Sequence, residues 1–307
     1  MGLASIKVAS FIAIIATGIL VGRSGKLGKG TGEAISKIVF NFTLPASIIH
    51  AFGSADLNPQ LFALIPLGVC CTLGPYLLTL ALTRKTPRPD RALYLMNTSG
   101  FNIGSFGLPF VQAFFPASTI VAACMFDAGN ALMMTGGTFA LTRIFMSDEP
   151  IAHPIRMVLR RLAASAPFDS YLILIGLAAL GVQAPAALIL FTEPIANANS
   201  FLSMFMLGLM VNFSLDRTQA HKLCKLVTGR LILSTFMSLL VFLFLPLGFE
   251  VRLIITVLLW TPIGSMGPVF TLWAGGDHGL AGLANAISIF MSIAIMTCII
   301  LFYGVVL

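Results

Sequence analysis

Apolar runs of roughly 20 residues, each ended by a polar or turn-rich break, recur ten times along this 307-residue chain. A helix needs about 20 apolar residues to cross ~30 Å of hydrocarbon. Within lipid every backbone polar group must pair inside the protein. The runs lie near 5–22, 33–53, 60–83, 90–116, 117–146, 167–183, 188–213, 223–248, 250–275 and 279–305, and they predict an all-α polytopic membrane protein. Composition agrees: 58% of residues are hydrophobic and 9% charged, against ~25% charged in soluble domains. A soluble enzyme, a nucleic-acid binder and a disordered chain are all excluded. The five cysteines are spaced neither as a metal site nor as a disulfide framework, and read as small buried hydrophobes.

The net charge of +7 is first a matter of where the cations fall. Sixteen of the 18 Lys and Arg, among them Arg23, Lys29, Arg84, Arg161, Arg217 and Arg230, belong to the loops and helix ends after runs one, three, five and seven. Lys7 and Arg252 alone fall on the other side. Positive loops mark the cytoplasmic face, so both termini are expected outside. Run one lacks a small-residue cleavage site and is expected to stay as a helix rather than leave as a signal peptide. Residues 147–166 form a cytoplasmic linker, in which Ile155, Val158, Leu159 and Leu162 stand at helical spacing beside Arg156, Arg160 and Arg161. That pattern fits an interfacial helix and equally a solvated linker. The linker divides the chain into five-run halves, 1–146 and 167–307.

The halves share a motif. Run four carries Gly104, Ser105, Gly107 and Pro109; run nine carries Gly264, Ser265, Gly267 and Pro268, each block 12 or 13 residues after an Arg. A unit with an odd number of spans re-enters the membrane inverted, and paired Gly/Pro-interrupted helices in inverted repeats mark the sites of secondary transporters. Broken helices four and nine are therefore expected to cross near the midplane. Their second halves would turn helix N-termini towards one point, an arrangement suited to an anion.

Depth selects the candidate residues. Asn102 and Pro262 fall at the centres of runs four and nine, with Thr261 beside the latter. Asp127 lies near the middle of run five, with Asn130 one turn away. An ionisable group so deep is expensive and usually functional, here as a carrier of a coupling proton or a ligand of a coupling cation such as Na+. Asn41 and Pro45 in run two are one turn apart, and Asn97 in run four and Asn197 and Asn199 in run seven add amides. Asp169 and Glu193 are expected at helix starts near the interface. The Gly25–Thr31 stretch lacks phosphate-loop spacing, and midplane Ser and Asp without a triad are the only support for an intramembrane hydrolase. No metal site or resident cofactor is expected.

At these residues the chain resembles the auxin efflux carrier family, which includes plant hormone carriers and bacterial malonate-permease-like proteins. The resemblance is carried by Phe42-Thr-Leu-Pro45, Asn102-Ile-Gly-Ser-Phe-Gly-Leu-Pro109, Asn130, Leu207-Gly-Leu, Thr261-Pro-Ile-Gly and Pro268, in order along nearly the whole chain. It implies ten spans in two inverted five-helix repeats, prolines at the crossing of helices four and nine, and an organic anion as substrate. By resemblance Asn102, Pro109, Pro262 and Pro268 fall at the crossing, with Asn41 and Pro45 nearby. Ile263 and Met266 stand where the family usually has small polar residues, so the substrate stays open. The long hydrophilic loop of the plant carriers is absent, which points to a short bacterial-type member.

The expected function is alternating-access transport of a small organic acid, malonate or an auxin-like acid included. It would be bound by Asn41, Pro45, Asn97, Asn102, Gly104, Ser105, Pro109, Asn130, Thr261, Pro262, Gly264, Ser265 and Pro268, with Asp127 as the site for a coupling H+ or Na+. The expected partners are the substrate and the lipid bilayer of a bacterial inner membrane; a homodimer is left open. A sodium-coupled bile-acid-type carrier and an anion channel are the nearest alternatives.

Overall fold

All regular structure among the described residues is helical. The computed structural model describes residues 3–28, 30–53, 58–146, 153–211 and 219–304. Lys29 and Arg217 of the charge count, residues 147–152 of the linker and the last residues of runs seven and ten lie outside these.

Six helical stretches are long and apolar enough to cross a membrane: Ser5–Arg23, Thr31–Gly53, Pro59–Leu82, Ala117–Met146, Ala220–Phe244 and His278–Tyr303. A seventh is reached if Ile155–Leu162 and Ala166–Ala179, bent by 86° at their junction, count as one. The chain is thus a membrane-embedded helical protein. The other expected runs fall short for identifiable reasons. Run six yields only the 14-residue Ala166–Ala179, about 21 Å long at 1.5 Å per residue. Run seven is one 25-residue helix, Ala186–Met210, whose apolarity is diluted by Glu193, Asn197 and Asn199. Glu193 therefore lies two turns inside that helix rather than at its start. Runs four and nine are interrupted.

In chain order the helices are α1 (Leu3–Arg23), α2 (Thr31–Ile38), α3 (Leu44–Gly53), α4 (Leu64–Leu82), α5 (Arg88–Thr98), α6 (Leu108–Gln112), α7 (Ala117–Leu132), α8 (Thr138–Met146), α9 (Pro154–Leu162), α10 (Ala166–Ala179), α11 (Ala186–Met210), α12 (Ala220–Phe244), α13 (Phe249–Leu258), α14 (Gly267–Trp273) and α15 (His278–Tyr303). The linker helix exists as α9, with Ile155 and Leu159 exposed and Leu162 buried. All five cysteines are free; Cys71 and Cys124 are buried, whereas Cys70, Cys224 and Cys298 lie on exposed surface, contrary to expectation.

Three π turns occur among the described residues, two of them inside helices that would otherwise be continuous. Val39–Thr43 joins α2 to α3, Ile103–Gly107 leads into α6, and Met133–Gly137 joins α7 to α8. The first two have a common sequence cause, since Phe42-Thr-Leu-Pro45 and Phe106-Gly-Leu-Pro109 repeat one pattern. Proline has no amide proton and its ring crowds the carbonyl four residues back. Widening the preceding turn by one residue relieves this, so Leu44 N–H bonds to Val39 O and Leu108 N–H to Ile103 O.

The helices pack as two groups. In one, α1 lies along α11, and α3 packs on α11 and α10. In the other, α4, α5, α7 and α8 pack with α12 to α15, through pairs such as α4 with α7, α5 with α14 and α7 with α13. Small residues set the closest approaches, as expected where apolar burial cannot drive helices together. A Cβ on Gly18 would lie 2.5 Å from Phe205 O, and one on Gly208 would overlap Ile15 O. Gly68 and Gly129 act likewise, each meeting a backbone carbonyl of the facing helix, Phe126 O and Ile65 O.

A side chain at Gly129 must therefore push α7 off α4. The variant Gly129→Val is expected to lose about 1–3 kcal/mol, as overpacked interiors do, seen as a drop of several degrees in the thermal unfolding midpoint of detergent-purified protein. Gly282→Ala, where an added Cβ meets nothing within 4 Å, should leave the midpoint unchanged.

Candidate functional site

The two interruptions that Gly and Pro impose on runs four and nine meet each other. Helix α5 stops at Thr98, and Gly100 takes a φ of +80°, a left-handed conformation that favours glycine. Phe101 is left without helical partners, and Asn130 of α7 serves both its groups: Phe101 N–H donates to Asn130 Oδ1 at 3.1 Å and Asn130 Nδ2 donates to Phe101 O at 2.9 Å. Thr72 Oγ1 of α4 also donates to Asn130 Oδ1, at 3.2 Å. In the second break, between α13 and α14, Ile263 N–H donates to Ser288 Oγ of α15 at 3.0 Å. The breaks are tied together by Asn102 N–H donating to Pro262 O at 3.0 Å.

Glycines let the broken helices approach each other reciprocally. A Cβ on Gly107 would lie 2.8 Å from Thr261 Cγ2, and one on Gly267 would lie 2.7 Å from Asn97 Oδ1. Met134 lies where side chains on Gly100 or Gly264 would be.

One cation holds this centre, and the charge count misplaced it. Arg230, assigned above to the cytoplasmic side, is the eleventh residue of α12, buried at 6% exposure. Its Nη1 donates to Gly100 O at 2.8 Å, and its Nη2 to Thr261 O at 2.8 Å and Pro262 O at 3.0 Å. A position read only as basic and near a helix end carried no signal of this. Carbonyls freed by the breaks receive it.

Beside the crossing lies a cavity of about 520 Å³. Each of the three π turns lines it, through Phe40 and Asn41, through Ile103, Gly104 and Ser105, and through Met134 and Thr135; such turns concentrate at functional sites. Asn102 and Asp127 are among its buried polar lining groups. Ser105 Oγ donates to Asn102 Oδ1 at 2.6 Å, whereas Asn102 Nδ2 is buried and has no partner among the described residues. Asp127 accepts from Asn130 Nδ2 at 2.9 Å and from Tyr171 Oη of α10 at 2.7 Å. At the side nearest the linker, Arg161 of α9 lines the cavity with its guanidinium carbon 4.5 Å from the Phe139 ring, 5.3 Å from Phe270 and 4.8 Å from Trp273. Three rings thus hold a cation at the cavity wall. Arg161 was read only as part of a basic linker face; its position on the side of the helix opposite Ile155 and Leu159 was the available clue.

The expected residues divide accordingly. Asn41, Asn102, Gly104, Ser105, Asp127, Asn130, Gly264 and Ser265 line this cavity. Asn97 does not: it is fully buried between the broken helices and donates to Thr271 Oγ1 of α14 at 2.8 Å and to Leu93 O. Thr261 and Pro262 act through their carbonyls on Arg230, and Pro45 and Pro268 lie off the cavity. Pro109 borders a second cavity of about 460 Å³ among α3, α6, α7 and α11, shared with Asn197. Asn199 instead accepts from Thr43 Oγ1 at 2.9 Å, tying α11 to the turn before α3. Among the described residues no cluster of His, Cys, Asp and Glu could hold a metal ion.

No family model matches the chain, and no curated protein is significantly similar to it. What the geometry defines is a membrane-embedded helical protein whose polar centre is a crossing of two broken helices.

Asn130 is the side chain on which the first break leans most. Asn130→Ala would orphan both backbone groups of Phe101, at about 1–3 kcal/mol for each unpaired buried group. A clear loss in the thermal midpoint is expected. Asn41→Ala, which removes only a bond to Lys37 O on an exposed helix face, should change stability by no more than about 0.5 kcal/mol.

Proposed function

We propose that this chain is a secondary carrier that moves a small organic anion by alternating access, of the kind found in the auxin efflux carrier family. The observation that carries the reading is the unpaired, buried Nδ2 of Asn102 at a 520 Å³ cavity beside two crossed broken helices. A buried donor without an acceptor is costly, and a bound carboxylate would satisfy it. The half-helices starting at Ile103 and Gly267 border the same space, and Arg161 supplies a fixed cation where a charged ligand would pass.

Ten crossings in two inverted five-helix repeats belong to this reading, and several pairings support it. Arg91, at the start of α5, donates to Leu80 O of α4, and Arg252, at the start of α13, donates to Phe242 O of α12. Asn130 of α7 serves Phe101 in one break, as Ser288 of α15 serves Ile263 in the other. The glycines of the duplicated motif press reciprocally on the opposite helix. Alternating access needs one body to move against another around a fixed site. Both cavities lie between the two helix groups, one near α9 and α10 and the other near Ala196 and Ser200 of α11. In this reading both termini face outward from a bacterial inner membrane. Asp127, buried at 4% exposure within the cavity wall, is the group that a coupling proton would occupy.

Labelled malonate uptake into proteoliposomes, with and without an imposed proton gradient, tests the proposal. Saturable uptake that the gradient raises and that Asn102→Ala abolishes is the expected result. Lack of saturable uptake across a panel of mono- and dicarboxylates would sink it, and flux that stays linear with concentration would favour a channel. Asp127→Asn is expected to keep binding but lose gradient-driven accumulation; full accumulation would remove Asp127 from coupling. Losing a charge-assisted bond costs about 1.5–3 kcal/mol, so Arg161→Ala should raise KM about tenfold or more while leaving the maximal rate within about twofold.

A further inference from the structure

An arginine with no carboxylate beside it is an unusual tenant for the middle of a membrane protein. Among the described residues no acid pairs with Arg230. Its guanidinium instead gathers carbonyl oxygens from both breaks: Gly100 at 2.8 Å and Thr98 at 3.4 Å from one, Thr261 at 2.8 Å and Pro262 at 3.0 Å from the other. The ring of Phe101, 5.2 Å away, covers one face. Both α5 and α13 end just before this point, so Thr98 O lies at a helix C-terminus and Gly100, Thr261 and Pro262 supply carbonyls from the unwound segments beyond, where unpaired oxygens concentrate negative charge. In broken-helix membrane proteins, unwound carbonyls and half-helix C-termini of this kind are what coordinate Na+.

We propose that Arg230 is a tethered cation filling the carbonyl cage at the crossing, in the place where a broken-helix carrier would hold Na+, so that the crossing closes without binding Na+ there. The consequence for coupling rests on the carrier reading; occupancy of the cage does not. The cation is also poised to act on the substrate site through the backbone, since Pro262 O accepts from both Arg230 Nη2 and Asn102 N–H. Arg230 is thus a positioning residue: it fixes the backbone that presents Asn102, and it leaves a net positive charge behind the cavity wall.

The test uses the full chain in detergent, with thermal midpoints measured in choline chloride and then titrated separately with NaCl and with low-millimolar guanidinium chloride. Wild type is expected to melt at the same temperature in Na+ and choline. Arg230→Ala should melt several degrees lower and recover saturably with guanidinium, whereas Gly129→Val, destabilised elsewhere, should not recover. That contrast is one a merely structural loss would not produce. Saturable stabilisation of wild type by Na+, or an Arg230→Ala variant indifferent to guanidinium, would overturn the proposal. Should the alanine variant fail to fold, Arg230→Lys keeps the charge and must stay insensitive to Na+; a Na+-responsive lysine variant counts against the cage being filled. In proteoliposomes, wild-type uptake should be equal in Na+ and choline. A complete lack of uptake would refute the carrier reading while the melting titrations still decide on Arg230.

Discussion

A backbone amide or carbonyl released from a helix within hydrocarbon has no water to turn to, and each one left unpaired costs several kcal/mol. The centre of this molecule answers that constraint twice over. Gly100 and the prolines at positions 109, 262 and 268 mark where runs four and nine lose helical continuity. Asn130, Ser288 and Arg230 then supply the partners that the helices gave up. The helices that carry these three side chains, α7, α15 and α12, must lie against the crossing for the accounts to close. The packing of that entire helix group follows from it.

Where that pairing is incomplete, the molecule has its chemistry. Asn102 is bonded through its N–H and its Oδ1, and only its Nδ2 is unmatched. Asp127 lies in the same wall, its carboxyl bonded to two neutral donors, Asn130 and Tyr171. The two arginines near the crossing are held in different ways. Arg230 is sunk among carbonyls, whereas Arg161 is gripped by aromatic rings that leave its N–H groups free to bond elsewhere.

Much of this was readable in the amino acids. Helices formed close to each apolar run, the linker helix appeared where the Ile155–Leu162 spacing placed it, and the duplicated Gly-Ser-x-Gly blocks located both breaks. Eight of the named site residues line one cavity. The misses share a cause: hydropathy and spacing report depth and face, but not which neighbour a side chain finds. Arg230 counts as basic wherever it points, so its burial among carbonyls left no trace in the charge tally. Asn97 and Asn102 lie five residues apart in one run, yet the break between them sends the first into helix packing and the second to the cavity. Run length gives ten apolar runs; among the described residues, broken helices and the polar middle of α11 leave six or seven that qualify as spans by length and apolarity.

The π turns carry one more consequence. Val39–Thr43 and Met133–Gly137, which lie within continuous helices, each insert a single residue into the helical count, so every side chain beyond is rotated by about 100° from where a 3.6-residue repeat would put it. Two of the segments around the cavity are phase-shifted in this way at the cavity itself. A substitution scan along residues 31–53 or 117–146 would see its sensitive positions keep one rhythm, skip a beat at the turn, and resume on a different face.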